Sequence, residues 1–357
     1  MKIKKDFIGM FDVLKGILMI AIITIHTLGF VKDTLPQDRA VSFCTELYRF
    51  GGVVVALFFV LAGYSFKPAR DIGKYIKKQA KEFLLPYAAA VLLTCACIAA
   101  RGVLCGTFSF GSVSSVLFAG FFGATGSFEL GGVWFASIVA LWFPLAFFLS
   151  GTFYQLIRRI KNEKLVQALI WTLTALCVLV PQEIARYVPW TLVQSLAVLG
   201  FIEVGRLLKK HKLLYQKFPI PAVLAALAAW VALHVFSACS IGVNLYRFWW
   251  LDYAVIAAVS AVFLKGYLTS GMATAEFLSP LEYIGRNSMW ILYIHAFELL
   301  AFPWDAGLAA LFPKSIPPFG VFLIVNAARL ALDVLLCACF NGLYGYLINR
   351  KLMKKEI

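Results

Sequence analysis

The chain has 357 residues, 62% hydrophobic and 14% charged, with mean hydropathy +0.84 and a formal net charge of +15. A water-soluble domain must cover its surface with polar groups, so this composition excludes one and defines a polytopic membrane protein. The basic balance has the sign of a nucleic-acid binder, but no basic region is a long or aromatic-interleaved soluble segment, so nucleic acid is not an expected partner and topology explains the charge.

A helix needs about 20 apolar residues to cross a ~30 Å hydrocarbon layer. On that rule the sequence predicts ten spans: 11-31, 49-66, 83-103, 132-155, 165-181, 190-208, 219-238, 250-268, 284-302 and 319-347. Segment 108-124, rich in Gly, Ser and Phe, is too short and broken for a span and reads as a re-entrant or interfacial piece. The expected fold class is all-α, a polytopic transmembrane helix bundle forming a single domain over 1-357, with no separate soluble domain. Cations gather in alternate connectors, at Lys2–Lys5, Lys67–Lys81, Arg158–Lys164, Arg206–Lys217, Lys265 with Arg286, and Arg350–Lys355. The opposite connectors hold few, among them Lys32, Arg39, Arg49, Arg101, Arg186, Arg247 and Lys314. Because Lys and Arg accumulate on the cytoplasmic side, both termini are expected there. The first span begins close to the N-terminus and lacks a small-residue cleavage site, so it reads as an uncleaved signal anchor. The expected location is a bacterial cytoplasmic membrane, with its lipids as partners; no feature specifies an oligomer.

Eight cysteines fall mostly inside the predicted spans. Cys95 and Cys97, like Cys337 and Cys339, are two apart on a helix and point to different faces, which argues against chelation or a local disulfide. They read as soft core packing, and no metal site is expected.

The first span, FDVLKGILMIAIITIH, carries Asp12, Lys15 and His26. Ionisable groups are costly in hydrocarbon, so they are expected to face a polar cavity or one another. Eleven steps of ~100° return His26 to within about 20° of Lys15, ~16 Å further along the axis, with Met19 and Ile22 on the same stripe. Asp12 stands one turn before Lys15, placed to pair with it. A lone His in a span serves equally as a hydrogen-bonded packing residue; the aligned Lys and Asp favour a functional one.

FDVLKGILMIAIITIHT resembles the first-helix motif of the acyltransferase-3 family of integral membrane proteins, an acid, then Arg or Lys before Gly, then an apolar run ending in His. FFVLAGYSF at 58-66, GGVWFASIVALWF at 131-143 and EYIGRNSMWILYIHAF at 282-297 resemble, in order, the family's second-helix motif, its WF-containing helix and its late Gly-x-x-Ser helix ending in His. The resemblance implies an O-acetyltransferase-like enzyme. It would move an acyl group, usually acetyl, from cytoplasmic acetyl-CoA or another acyl-CoA to a hydroxyl or amine of a glycan, lipid or small metabolite. It implies His26 as the catalytic residue, with Lys15 at the family's basic position, oriented by Asp12. A neutral imidazole can remove the proton of an attacking hydroxyl or briefly carry the acyl group.

One departure bears on the donor site. The family has an Arg-x-x-Arg pair shortly before a Pro-Tyr or Pro-Ala, whereas YIKKQAKEFLLPY puts Gln79 and Glu82 at those places. Lys78 and Lys81 keep the spacing one residue earlier, which re-aims them by ~100° unless the backbone compensates. Arg70, Lys74, Lys78 and Lys81 are the candidate donor contacts, and equally cations that touch lipid headgroups. Asn287 or Ser288 is placed to cap the ninth span, and Ser288 is also a candidate cavity-lining residue. His295 is expected either to line a cavity or to hydrogen-bond across helices. Arg329 and Asp333, four apart, read as a buried pair, a structural wedge first and cavity lining second. Glu203 and Arg206 read as a similar pair. Trp134 reads as packing or an interfacial anchor, and through the family motif as a candidate cavity residue.

Two function classes follow. The first is the acyltransferase, acting alone on its acceptor or passing the acyl group to a separate protein. The alternative is a membrane transporter or exporter whose intramembrane His, Asp and Arg form a proton or substrate path. Inverted repeats with paired broken helices would favour transport, and the sequence shows none.

Overall fold

The computed structural model describes residues 9–34, 38–236, 239–302, 304 and 316–353. Lys2, Lys4, Lys5, Lys314, Lys354 and Lys355, used above for topology, lie outside the described residues, as do residues 237 and 238 of the seventh predicted span. In hydrocarbon every backbone polar group must be satisfied within its own segment, which is why such apolar sequences fold as helices.

In chain order the helices are α1 (Asp12–Thr34), α2 (Arg39–Tyr48), α3 (Gly51–Tyr64), α4 (Ile72–Gln79), α5 (Leu85–Leu104), α6 (Phe110–Phe122), α7 (Trp142–Ile157) and α8 (Glu163–Val178). They continue as α9 (Gln182–Ala185), α10 (Leu192–Ala197), α11 (Leu199–Lys210), α12 (Ile220–Phe236), α13 (Trp250–Thr269), α14 (Ser279–Arg286), α15 (Ser288–Ala301) and α16 (Pro318–Met353). Among the described residues six helical runs are long and apolar enough to cross a membrane: Asp12–Val31, Ile72–Leu104, Val139–Ile157, Pro189–Lys210, Trp250–Thr269 and Pro318–Leu343. Gly51–Tyr64, Phe110–Phe122, Ile220–Val235 and Ser288–Ala301 are apolar but shorter. Polar side chains cap the starts of α4 and α8: Asp71 Oδ1 accepts from Lys74 N, and Asn162 Oδ1 from Lys164 N and Leu165 N.

Two expectations are corrected here. The predicted span 132-155 begins too early, because β1 (Phe128–Leu130) and β2 (Val133–Phe135) form an antiparallel hairpin before α7. Its turn is Gly131-Gly132, both with positive φ (60° and 78°), which side-chain-bearing residues rarely adopt and two-residue hairpin loops demand. A second short hairpin, β3 (Cys239–Ser240) with β4 (Leu245–Tyr246), precedes α13. The predicted span 284-302 is broken at Asn287 into α14 and α15, and neither Asn287 nor Ser288 caps the break. Asn287 Nδ2 donates instead to the Tyr283 carbonyl, and its Oδ1 accepts from Asn341. The piece at 108-124 is a regular helix, α6, ended by Gly123 in the left-handed region.

Helix α1 sits at the centre, packed against α2, α3, α14, α15 and α16. Two glycines set its approach to α14: a Cβ on Gly16 would overlap the Leu281 backbone, and one on Gly285 the Asp12 backbone. The same device joins α3 to α11, with Gly63 on the Ile202 backbone and Gly205 on that of Val60. Small residues of this kind are how membrane helices gain close van der Waals contact where no hydrophobic effect draws them together. Between α4 and α5, residues Ala80–Leu84 form a π turn, whose Phe83 carbonyl accepts from the Tyr293 hydroxyl at 2.9 Å.

Candidate active site

The stripe of α1 meets two cavities. At its start Lys15 Nζ lies 2.5 Å from Asp12 Oδ1, and Arg286 of α14 lies 3.6 Å from Asp12 Oδ2. These three side chains, with Lys67, Lys209 and Ser288, line a cavity of about 530 Å³ whose apolar wall includes Phe58, Phe143 and Phe147. Four cations against one carboxylate give its lining a net positive charge. Lys209 Nζ also lies over the Tyr64 ring, 5.4 Å from its centre. The second cavity, about 110 Å³, is lined by Ile22 and His26 of α1, Gly51 and Gly52 of α3, Trp142 and Phe143 of α7, and Ser240 and Gly242 beside the second hairpin. Phe143 lines both cavities and is the wall between them. It is held there by ring contacts to Phe58, Phe59 and Phe147 with centres 5.3–5.7 Å apart.

Behind His26 lies a closed polar cluster. His26 Nδ1 is 2.9 Å from His295 Nε2, the rings stacked with centres 5.1 Å apart. His295 Nδ1 is 3.0 Å from both Asp333 Oδ2 and Glu298 Oε1. Arg329 donates to Glu298 Oε1 from Nε at 2.9 Å and from Nη2 at 2.7 Å, and from Nη1 to Thr27 Oγ1 at 3.1 Å. The Trp304 indole donates to Glu298 Oε2. His295, Glu298, Arg329 and Asp333 are all fully buried. The pairing read from spacing is thereby corrected: Arg329 pairs with Glu298 of α15, and Asp333 with His295. Both side chains face a neighbouring helix that offers each an opposite or complementary group.

His295, Glu298 and Asp333 bring three ligand-capable atoms within 4.8 Å of one another. Those atoms already bond to one another, and the Arg329 guanidinium supplies on Glu298 the positive charge a cation would bring. This donor set is a hydrogen-bonded ion network, and it fits a metal poorly.

Of the residues singled out in the sequence, Asp12, Lys15 and Ser288 line the larger cavity and His26 the smaller, while His295 and Arg329 stand behind His26. Arg70, Lys74, Lys78 and Lys81 are exposed and line neither cavity. Lys78 reaches Glu82 at 3.7 Å. The π turn holds one residue more per turn than an α-helix, so it takes up the one-residue offset of Lys78 from Pro86, while Lys81 lies within the turn. Trp134 is 55% exposed on β2, away from both cavities. Lys67, Lys209 and Arg286 were not singled out as site residues. They come from three separate segments, and nothing in their spacing announces that they converge. A second network stands beside the larger cavity's α11 wall: Glu203 accepts from Tyr154, Gln167 and Arg206, and Arg206 reaches on to Glu163 at 3.1 Å. The Arg158 hydrogen bond holds the Glu163 carboxyl below the ordinary carboxylate range.

An apolar helical bundle with buried ion pairs and a basic cavity defines an integral membrane protein. Residues 8–337 match the model of the acyltransferase-3 family, described as an acyltransferase domain, and the chain belongs to that family. No match was found among curated proteins and none among solved structures. The protein is thus a membrane acyltransferase by family.

Proposed function

We propose that this protein transfers an acyl group, acetyl by preference, from cytoplasmic acyl-CoA to a hydroxyl or amine of a glycan, lipid or small metabolite, with His26 as general base. The observation that carries this reading is the pair of cavities on one stripe of α1: Lys15 lines the larger, basic one and His26 the smaller, with Phe143 between them. A thioester arm whose phosphates rest among Lys15, Lys67, Lys209 and Arg286 must span the ~16 Å to His26 to deliver its carbonyl carbon. Arg70, Lys74, Lys78 and Lys81 would meet the donor's nucleotide outside the cavity, or lipid headgroups. In the step itself His26 takes the acceptor's proton as its oxygen or nitrogen attacks the thioester carbonyl, and the departing coenzyme A thiolate recovers that proton. Among the described residues the lining of the smaller cavity holds no Lys, Arg, Asp or Glu, which favours an uncharged acceptor group. The apolar helices and the cation bias of their connectors support cytoplasmic termini in a bacterial cytoplasmic membrane, with the larger cavity on the cytoplasmic side and the acceptor approaching from the other.

The test feeds labelled acetyl-CoA to membranes from cells expressing the wild-type chain or His26→Ala and follows label into glycan, lipid and small-molecule fractions. Label should enter one fraction with the wild type and not with His26→Ala. Equal incorporation by a correctly inserted His26→Ala protein removes His26 from the reaction.

A further inference from the structure

Which nitrogen of His26 faces the reaction is set by groups on two other helices. His295 Nδ1 lies 3.0 Å from Asp333 Oδ2 and 3.0 Å from Glu298 Oε1. Carboxylate oxygens only accept, so the hydrogen of this contact belongs to His295 Nδ1. In a neutral imidazole the other nitrogen then carries the lone pair, and His295 Nε2, 2.9 Å from His26 Nδ1, is an acceptor. His26 Nδ1 must donate to it. That leaves the lone pair of His26 on Nε2, which has no hydrogen-bond partner among the described residues, on a ring that lines the smaller cavity.

The cluster's charge bears on proton uptake and not on the tautomer, since a proton on His295 would also neutralise the cluster and would reverse the His26–His295 hydrogen bond. With both histidines neutral, the buried Glu298, Asp333 and Arg329 sum to one net negative charge. A proton gained by His26 brings the cluster to neutrality in a region where an isolated charge is costly. The arrangement repeats the logic of an acid that orients a histidine and stabilises its protonated form, with a second imidazole interposed. Arg329 holds Glu298 with two hydrogen bonds and Thr27 anchors Arg329, so the orienting carboxylate is itself fixed.

We propose that His295, held by Asp333 and Glu298, is a positioning residue that fixes His26 in its Nδ1–H tautomer and so makes Nε2 the nitrogen that takes the acceptor's proton. This deepens the general-base reading of His26 and rests on it for the proton step alone. The acceptor O–H or N–H bond breaks as its hydrogen moves to His26 Nε2. The acceptor's heavy atom bonds to the carbonyl carbon, the C–S bond breaks, and the thiolate takes the hydrogen from Nε2.

The tautomer can be read without turnover. The chain has four histidines, so ¹⁵N-histidine-labelled protein in lipid gives a spectrum assignable with His26→Gln, His211→Gln and His234→Gln variants. In the wild type His26 should show a hydrogen-bearing Nδ1 and a bare Nε2; a hydrogen-bearing Nε2 in the resting protein overturns the proposal. His295→Gln can still donate to Asp333 and accept from His26, and should keep the tautomer and much of the activity. His295→Phe can do neither; it should lose the tautomer preference and lower kcat by ~10²–10⁴-fold, with KM for acetyl-CoA unchanged. Loss of activity in His295→Phe with the His26 tautomer intact would assign His295 a merely structural role and also overturn the proposal. Should His295→Phe fail to fold, the wild-type and His295→Gln spectra still decide. If His26→Ala proves active while the tautomer is as described, it is the general-base assignment that fails, and the positioning geometry stands.

Discussion

The Arg329–Glu298 pair gives the sharpest quantitative expectation. Both side chains are fully buried and joined by bonds of 2.9 and 2.7 Å; Thr27 is the further polar neighbour of the guanidinium, and the Trp304 indole and His295 are those of the carboxylate. Removing one partner leaves the other charge buried without compensation, which costs about 3–5 kcal/mol. Glu298→Leu and Arg329→Met should therefore each lower the folded-to-unfolded ratio by roughly two to four orders of magnitude. Removing both leaves no orphan charge, so the double variant should be no less stable than either single one, although its His26–His295 pair loses one orienting carboxylate. The assay is unfolding of the four proteins in a denaturing-detergent titration followed by near-ultraviolet circular dichroism. Simple additivity of the two single effects, or single effects under about 1 kcal/mol, refutes the view that these charges hold each other in the bundle.

Three further outcomes follow from the geometry. Gly285→Ala puts a methyl into the Asp12 backbone and should force α14 off α1 at a cost of about 1–3 kcal/mol, seen as a lower thermal midpoint together with weaker donor binding; a protein indistinguishable from wild type contradicts the close crossing. Lys15→Gln removes a cation from the larger cavity and should raise the Kd for acetyl-CoA by roughly 10-fold or more, an effect that shrinks as salt is added; an unchanged Kd in filter binding places the donor elsewhere. Phe143→Trp enlarges the wall between the cavities, so it should slow acyl transfer while leaving the affinity for free coenzyme A unchanged, and parallel loss of both would deny Phe143 that place.

Much of the first helix was legible because a helix's angular step is fixed: Lys15 and His26 eleven residues apart must share a face, and Asp12 one turn away must be near Lys15. His295 stood out as an ionisable group in an apolar segment. The pairing of Arg329 was not legible. Spacing within one helix offers Asp333 as partner, but a buried side chain takes the best-placed group on any neighbouring helix, and α15 supplies Glu298. The hairpin at Phe128–Phe135 was written in the Gly131-Gly132 pair, yet hydropathy alone merged it into the following span. The larger cavity shows the real limit, since Lys67, Lys209 and Arg286 converge only through packing of α3 and α14 on α1 and of α11 on α3, and the glycines that permit that approach carry no mark of their partners.

The most direct measurement is equilibrium binding of labelled acetyl-CoA to the purified protein in nanodiscs, with unlabelled coenzyme A and longer acyl-CoAs as competitors. A membrane acyltransferase with an anion-binding donor cavity should give saturable binding that coenzyme A displaces and that rising salt weakens. Folded protein that binds no acyl-CoA would contradict the donor assignment and turn attention to transport of another anion through the same basic cavity.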